Sequence, residues 1–182
     1  MNKYLWIVSL LFVSQSVFSH EGEKHEEHKE SKKEHREHKA HQHGHAEMSI
    51  AFDGMIGKIS LETPTDNIIG FENKPKNDQQ KKQSEEALLK LENNIAQMVQ
   101  MDPSLSCVMS KHEVQVNYEE GGHSDVDASF EVKCQKSPVG TKIKFAFQKY
   151  FSRMKNVEIQ VLADQISKSI HVKKATAELE IK

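Results

Sequence analysis

The alternation of apolar and polar residues is clearest from residue 46 onward. Ala46, Met48, Ile50 and Phe52 fall on one side of an extended chain, and His45, Glu47, Ser49 and Ala51 fall on the other. A period of two predicts a strand with one buried face. Asp53-Gly54 reads as a tight turn and residues 56–61 as the returning strand, with Gly57 hinting at a bulge. Residues 63–75 contain two prolines and a glycine, which predicts an irregular segment anchored by Ile68, Ile69 and Phe71. The period then lengthens. Leu88, Leu91, Ile95, Met98 and Val99 recur at helical spacing, so a helix is expected from residue 77 or 78 to about residue 101. Asp102-Pro103 stops it, because the residue before proline avoids helical angles.

The next two strands constrain their own register. Glu119-Glu120-Gly121-Gly122 forms the tip, and Val114, Val116 and Tyr118 must share a face with Val126, Ala128 and Phe130. Pairing Tyr118 with Ser124 satisfies this. Continued unchanged, that register sets Cys107 opposite Gln135 and leaves the thiols of Cys107 and Cys134 on opposite faces. The apolar positions, however, switch from even to odd numbers between Val114 and Met109. One extra residue between Ser110 and Glu113, a β-bulge, accounts for the switch. With it, Cys107 falls opposite Cys134, within disulfide range. On the chain-entropy model, closing that loop stabilises the fold by roughly 3.5 kcal/mol.

Beyond Ser137-Pro138 the pattern is strand-like at Ile143, Phe145 and Phe147, then helical through Phe147, Tyr150, Phe151 and Met154. Val157, Ile159 and Val161 predict another strand, and residues 166–172 and 175–181 a closing pair. The expected class is α+β: antiparallel β-sheets with one long and one short amphipathic helix and a disulfide-stapled hairpin. The order of elements is compatible with a loose internal duplication.

Composition adds a different kind of segment upstream. Residues 20–45 hold eight of the eleven histidines, with seven Glu, five Lys and one Arg, and no Val, Ile, Leu, Met, Phe, Trp, Tyr or Cys. With nothing apolar to bury, this tail is expected to be disordered and to bind metal through imidazoles and carboxylates. His25 and His28 are three apart, as are His35, His38 and His41, one helical turn each. His41, His43 and His45 are two apart, which an extended chain presents on one side. Together with His20 at the head and Glu47 at the junction, they point to several overlapping sites rather than one rigid cage. Such donors suit zinc first, with nickel and copper(II) as alternatives. A solvated or pH-responsive linker is the competing reading.

Residues 1–19 read as a secretory signal, with Lys3, an apolar run from Tyr4 to Val13, and Val17-Phe18-Ser19 as cleavage site. That run is too short to span a membrane, and no Cys follows the cleavage point to carry a lipid. The mature chain is therefore expected to begin at His20, exported and without a stable membrane anchor. The organisation becomes a leader (1–19), a metal-binding tail (20–45) and a folded domain (46–182). A net charge of −2 with no basic stripe argues against nucleic acid as a partner.

A second candidate metal site lies in the hairpin. His123, Asp125 and Asp127 alternate, which puts one imidazole and two carboxylates on the outer face of one strand; an ordinary solvated face is the alternative. His171 lies on the opposite face from Ile170 and Val172 and is expected to be simply exposed. Past residue 45, histidines occur only at His112, His123 and His171, and no His-Glu-x-x-His motif appears. A zinc hydrolase needs about three fixed ligands and a positioned base. A non-enzymatic protein is therefore expected, with a hydrolase and an envelope interaction module as the weaker readings.

The run His43-Gly44-His45-Ala46-Glu47-Met48-Ser49-Ile50-Ala51-Phe52-Asp53-Gly54 resembles the opening of the ZrgA-like periplasmic zinc-binding family. So do Thr63-Pro64 followed by Asn67, Gly70-Phe71-Glu72 and Pro75, and the segment His123-Ser124-Asp125-Val126-Asp127-Ala128 leading to Cys134. The resemblance extends from His43 to the C-terminus. It implies a periplasmic, non-enzymatic protein that binds zinc and serves zinc acquisition with an ABC-type importer or its binding protein. Two departures stand out. Asn73 occupies a position where the family often has His, and residues 119–122 replace a long His/Asp/Glu insertion carried by some members. Here the histidines concentrate at the N-terminus instead.

Overall fold

The computed structural model describes residues 42–182; the leader expected at 1–19 and the histidines His20, His25, His28, His35, His38 and His41 of the expected tail lie outside the described residues. The first alternating segment forms β1 (His45–Asp53) and its partner β2 (Ile56–Pro64), joined by the expected turn at Gly54. Ala46, Met48, Ile50 and Phe52 are all buried, as their spacing requires.

No bulge forms at Gly57. It stays in register, opposite Phe52 on β1 and Val132 on the strand beyond. The glycine is needed for another reason: a Cβ there would lie 2.6 Å from Phe52 Cδ1 and 2.9 Å from the Ala51 carbonyl oxygen. The Phe52 ring occupies the space a side chain would take. Gly57→Ala is expected to destabilise the fold by roughly 1–3 kcal/mol through overpacking. A thermal melt unchanged from wild type would show that the ring can swing aside.

Residues 63–75 are less irregular than expected, since β2 runs on through Pro64 into a single helical turn, α1 (Thr65–Ile68). Helix α2 (Asp78–Met98) starts where expected, with the Asn77 side chain accepting from the Gln80 amide at 2.9 Å. Leu91, Ile95 and Met98 form its buried stripe. It ends before residue 101 because Val99 turns extended and opens β3 (Val99–Met101), which pairs with β6 (Lys142–Phe145). A backbone ladder thus takes over from the helix before Asp102-Pro103 is reached. The Asp102 carboxylate then accepts from the Ser104 hydroxyl and amide, which hold its pKa below the ordinary value.

The hairpin of β4 (Val108–Tyr118) and β5 (Ser124–Lys133) has the expected register. Tyr118 faces Ser124, Val116 faces Val126, and the register shifts between Lys111 and Glu113, leaving His112 as the extra residue. Just beyond the ladder, Cys107 and Cys134 are joined by a disulfide.

Where a short second helix was expected, Phe147–Lys149 makes one 3-10 turn, and Phe147, Phe151 and Met154 are buried around it. β7 (Asn156–Ala163) and β8 (Ile166–Val172) form a hairpin, and β9 (Ala177–Glu180) pairs with β6. The expected closing pair of β8 and β9 therefore does not form; the two strands lie in different sheets.

The strands divide into a six-stranded sheet, β4-β5-β2-β1-β7-β8, and a three-stranded one, β3-β6-β9. One pairing departs from the antiparallel expectation: β7 runs parallel to β1 along its whole length. The amides of Lys155 and Asn156 donate to the Gly44 carbonyl at 2.9 and 2.8 Å, which locks the start of that pairing. Ile50, Ile59, Phe130 and Ile159 from the large sheet share one core with Leu91 and Met98 of α2 and Phe145 of the small sheet. The other face of the large sheet carries the polar alternates, His45 and Glu47 among them.

Candidate metal sites

The geometry starts from the backbone around Gly44. Its φ of +83° is a conformation that glycine adopts freely and other residues rarely do. The Gly44 amide donates to Asn67 Oδ1 at 2.8 Å, and Asn67 Nδ2 donates to the His45 carbonyl at 2.7 Å and to Thr63 Oγ1 at 2.9 Å. Thr63 Oγ1 in turn donates to the same His45 carbonyl at 3.1 Å. Asn67 is buried, so these bonds are shielded from water. With β7 holding the Gly44 carbonyl from the other side, His43 and His45 are fixed as a fork.

His45 lies over the outer face of the sheet. Its Nε2 is 3.6 Å from Glu47 Oε1, two residues along the same strand face. Glu158 on β7 stands directly opposite Glu47. Donor atoms of His45, Glu47 and Glu158 all lie within 4.8 Å of one another, a convergence suited to a metal ion. The row continues outward: Glu47 also faces Glu62 on β2, Glu62 faces Asp127 on β5, and Glu158 faces His171 on β8. Like charges opposite one another on neighbouring strands are destabilising. A divalent cation among them offsets that repulsion. One imidazole and two carboxylates suit zinc and leave a coordination position open. Behind the ring, the Asn156 side-chain nitrogen is 3.1 Å from His45 Nδ1.

His43 turns the other way, to the loop after α1. Its Nε2 is 3.1 Å from Glu72 Oε1, and its Nδ1 is 3.4 Å from Asp66 Oδ2. The second oxygen of Glu72 is 2.9 Å from His123 Nδ1, at the foot of the β4–β5 hairpin. The mostly buried Glu72 carboxylate thus bridges two exposed imidazoles. Ser124 Oγ donates to the Glu72 backbone carbonyl and is hydrogen-bonded to Thr65, which straps this loop to the hairpin. Arg153 holds Asp66, with one nitrogen 2.9 and 3.0 Å from its two oxygens.

Of the residues named from sequence, His43, His45, Glu47 and His123 all occupy one of these two places. His123, Asp125 and Asp127 do not converge as a ligand trio. His123 meets Glu72, Asp125 is buried, opposite Pro64 on β2 and Asn117 on β4, and Asp127 accepts from Asn117 Nδ2 at 2.7 Å. His112 sits at the bulge and His171 on the exposed edge strand β8. Sequence reasoning missed Glu158, Glu72 and Asp66 as donors. Glu72 stood inside the quoted Gly-Phe-Glu motif; Glu158 had no signal beyond a polar slot between Val157 and Ile159.

Among the described residues no helix is long and apolar enough to cross a membrane. Residues 40–181 match the family described as ZrgA family zinc uptake protein. No curated protein matches the chain.

Proposed function

The chain belongs to the ZrgA family of zinc uptake proteins, and from that premise we propose that it is a periplasmic zinc-binding protein that takes zinc at His45, Glu47 and Glu158. The observation that carries this reading is the convergence of those three donors within 4.8 Å on the sheet face. Zinc here is cargo, and a site with three protein ligands and one open position can pass it on to another protein's ligand. The receiving partner is an ABC-type zinc importer or its binding protein. The Glu72 bridge between His43 and His123 provides a second site, flanked by Asp66. The His20–His41 histidines of the tail add several weaker, exchangeable sites, so residues 20–42 collect zinc and the domain, from His43 onward, holds it.

Calorimetric zinc titration of the chain beginning at His20, and of one lacking residues 20–42, tests the division of labour. Deletion should lower the stoichiometry while preserving both the tightest binding phase and a cooperative melt. His123→Ala should remove a weaker phase and leave the tightest one intact. Loss of the tightest phase on tail deletion would move the principal site into the tail. Loss of the cooperative melt would make the tail part of the fold.

A further inference from the structure

We propose that Asn156 sets the tautomer of His45 and so readies that imidazole for zinc; the inference rests on the site proposed above. His45 presents Nε2 to the Glu47 carboxylate, so zinc held there is taken by Nε2. A neutral imidazole has one proton, and metal at Nε2 requires it on Nδ1, where it needs an acceptor. The side chain that meets Nδ1 is Asn156.

Two observations give Asn156 this role. First, its place is dictated by the same backbone grip that forms the site: it pairs with His45 across β1 and β7, and its amide donates to the Gly44 carbonyl at 2.8 Å. Second, its carboxamide has two useful orientations. In this structure Nδ2 faces His45 Nδ1 at 3.1 Å, while the Oδ1 atom is buried without a hydrogen-bond partner. In that orientation the amide can only donate, which suits a ring with its proton on Nε2, the tautomer that zinc at Nε2 must displace. Half a turn of the amide brings Oδ1 to Nδ1, and the carbonyl gains the donor it lacks. The NH2 group then takes the position the carbonyl left, so one unpartnered group is exchanged for another. Zinc at Nε2 interacts favourably only with the second orientation and so selects it. The exchange is a change of tautomer: one proton leaves Nε2 and one is taken up at Nδ1. The acceptor that a protonated His45 Nδ1 requires is thus carried by the side chain already in contact with it.

Zinc competition titrations of the chain from His20, as wild type, Asn156→Leu, Asn156→Asp and His45→Ala, test the role. Asn156→Leu is expected to weaken the tightest phase roughly 10- to 100-fold, the usual cost of losing an outer-shell partner. Asn156→Asp keeps an acceptor for Nδ1–H and should bind within a few-fold of wild type. A merely structural asparagine would not be rescued in this way. Nitrogen NMR of the His45 ring in zinc-loaded wild type, assigned by its disappearance in His45→Ala, should show Nδ1 protonated and Nε2 on the metal, and it needs no folded Asn156 variant. Zinc on Nδ1, or an Asn156→Leu protein that binds as wild type while His45→Ala does not, overturns the inference and leaves the site standing. If His45→Ala keeps the tightest phase, the site itself is wrong, and the role of Asn156 falls with it.

Discussion

Replacing His45 by Ala is expected to remove the tightest zinc-binding phase, a loss larger than the roughly 10- to 100-fold that an outer-shell partner contributes. Glu158→Gln should act in the same direction, because it deletes one of the three converging donors. The effect should also be visible without measuring bound metal. A ligand that binds only the native state stabilises it by mass action, by about 2.7 kcal/mol at a hundred times its dissociation constant. For a domain of this size each kcal/mol moves the melting temperature by roughly 2–4 °C. Zinc should therefore raise the wild-type melting temperature by on the order of 8 °C under those conditions. The rise should be largely absent in both variants. Glu62→Gln is the informative contrast. Glu62 faces Glu47 but is not among the converging donors. Its neutralisation should leave zinc binding and the zinc-induced rise in melting temperature in place. If zinc raised the melting temperature of His45→Ala as much as that of wild type, the sheet-face site would have to be abandoned.

Loss of the Cys107–Cys134 bond should produce the largest change in intrinsic stability. The bond closes a loop across a sequence separation of 27. Restricting that loop in the unfolded chain is worth roughly 3.5 kcal/mol on the chain-entropy model, a large share of a typical domain's stability of about 5–15 kcal/mol. Replacing both cysteines by serine should lower the midpoint of urea unfolding accordingly. Cys107 and Cys134 both pack against the core, and the bond lies at the far end of the hairpin from His123, beyond the bulge at His112. Zinc affinity, measured below the unfolding transition, should therefore be little altered. A double variant as stable as wild type would mean that the ladder and its bulge hold the hairpin without the crosslink. A variant that folded normally but bound zinc poorly would show instead that hairpin geometry reaches the metal sites through β5.

Much of this protein could be read from one strand or one hairpin at a time. Alternation assigned the buried faces of β1 and β7, because a side chain's face depends only on its parity along an extended chain. The switch of parity between Met109 and Val114 located the bulge, and through it the disulfide, because the register of a hairpin propagates from its turn. The histidine-bearing entry to β1 was legible for the same reason: His43, His45 and Glu47 are close together in the chain. What parity cannot encode is which strand lies alongside. The parallel pairing of β1 with β7 joins residues more than a hundred positions apart, and it alone brings Glu158 and Asn156 to His45. The same limit applies to Glu72, whose place between His43 and His123 depends on the loop after α1 folding against the hairpin. It applies also to β8 and β9, which were adjacent in sequence and lie in separate sheets. Local periodicity determined which side chains face inward or outward. Long-range strand pairing, driven by burial of those inward faces in one core, decided which of the outward ones meet.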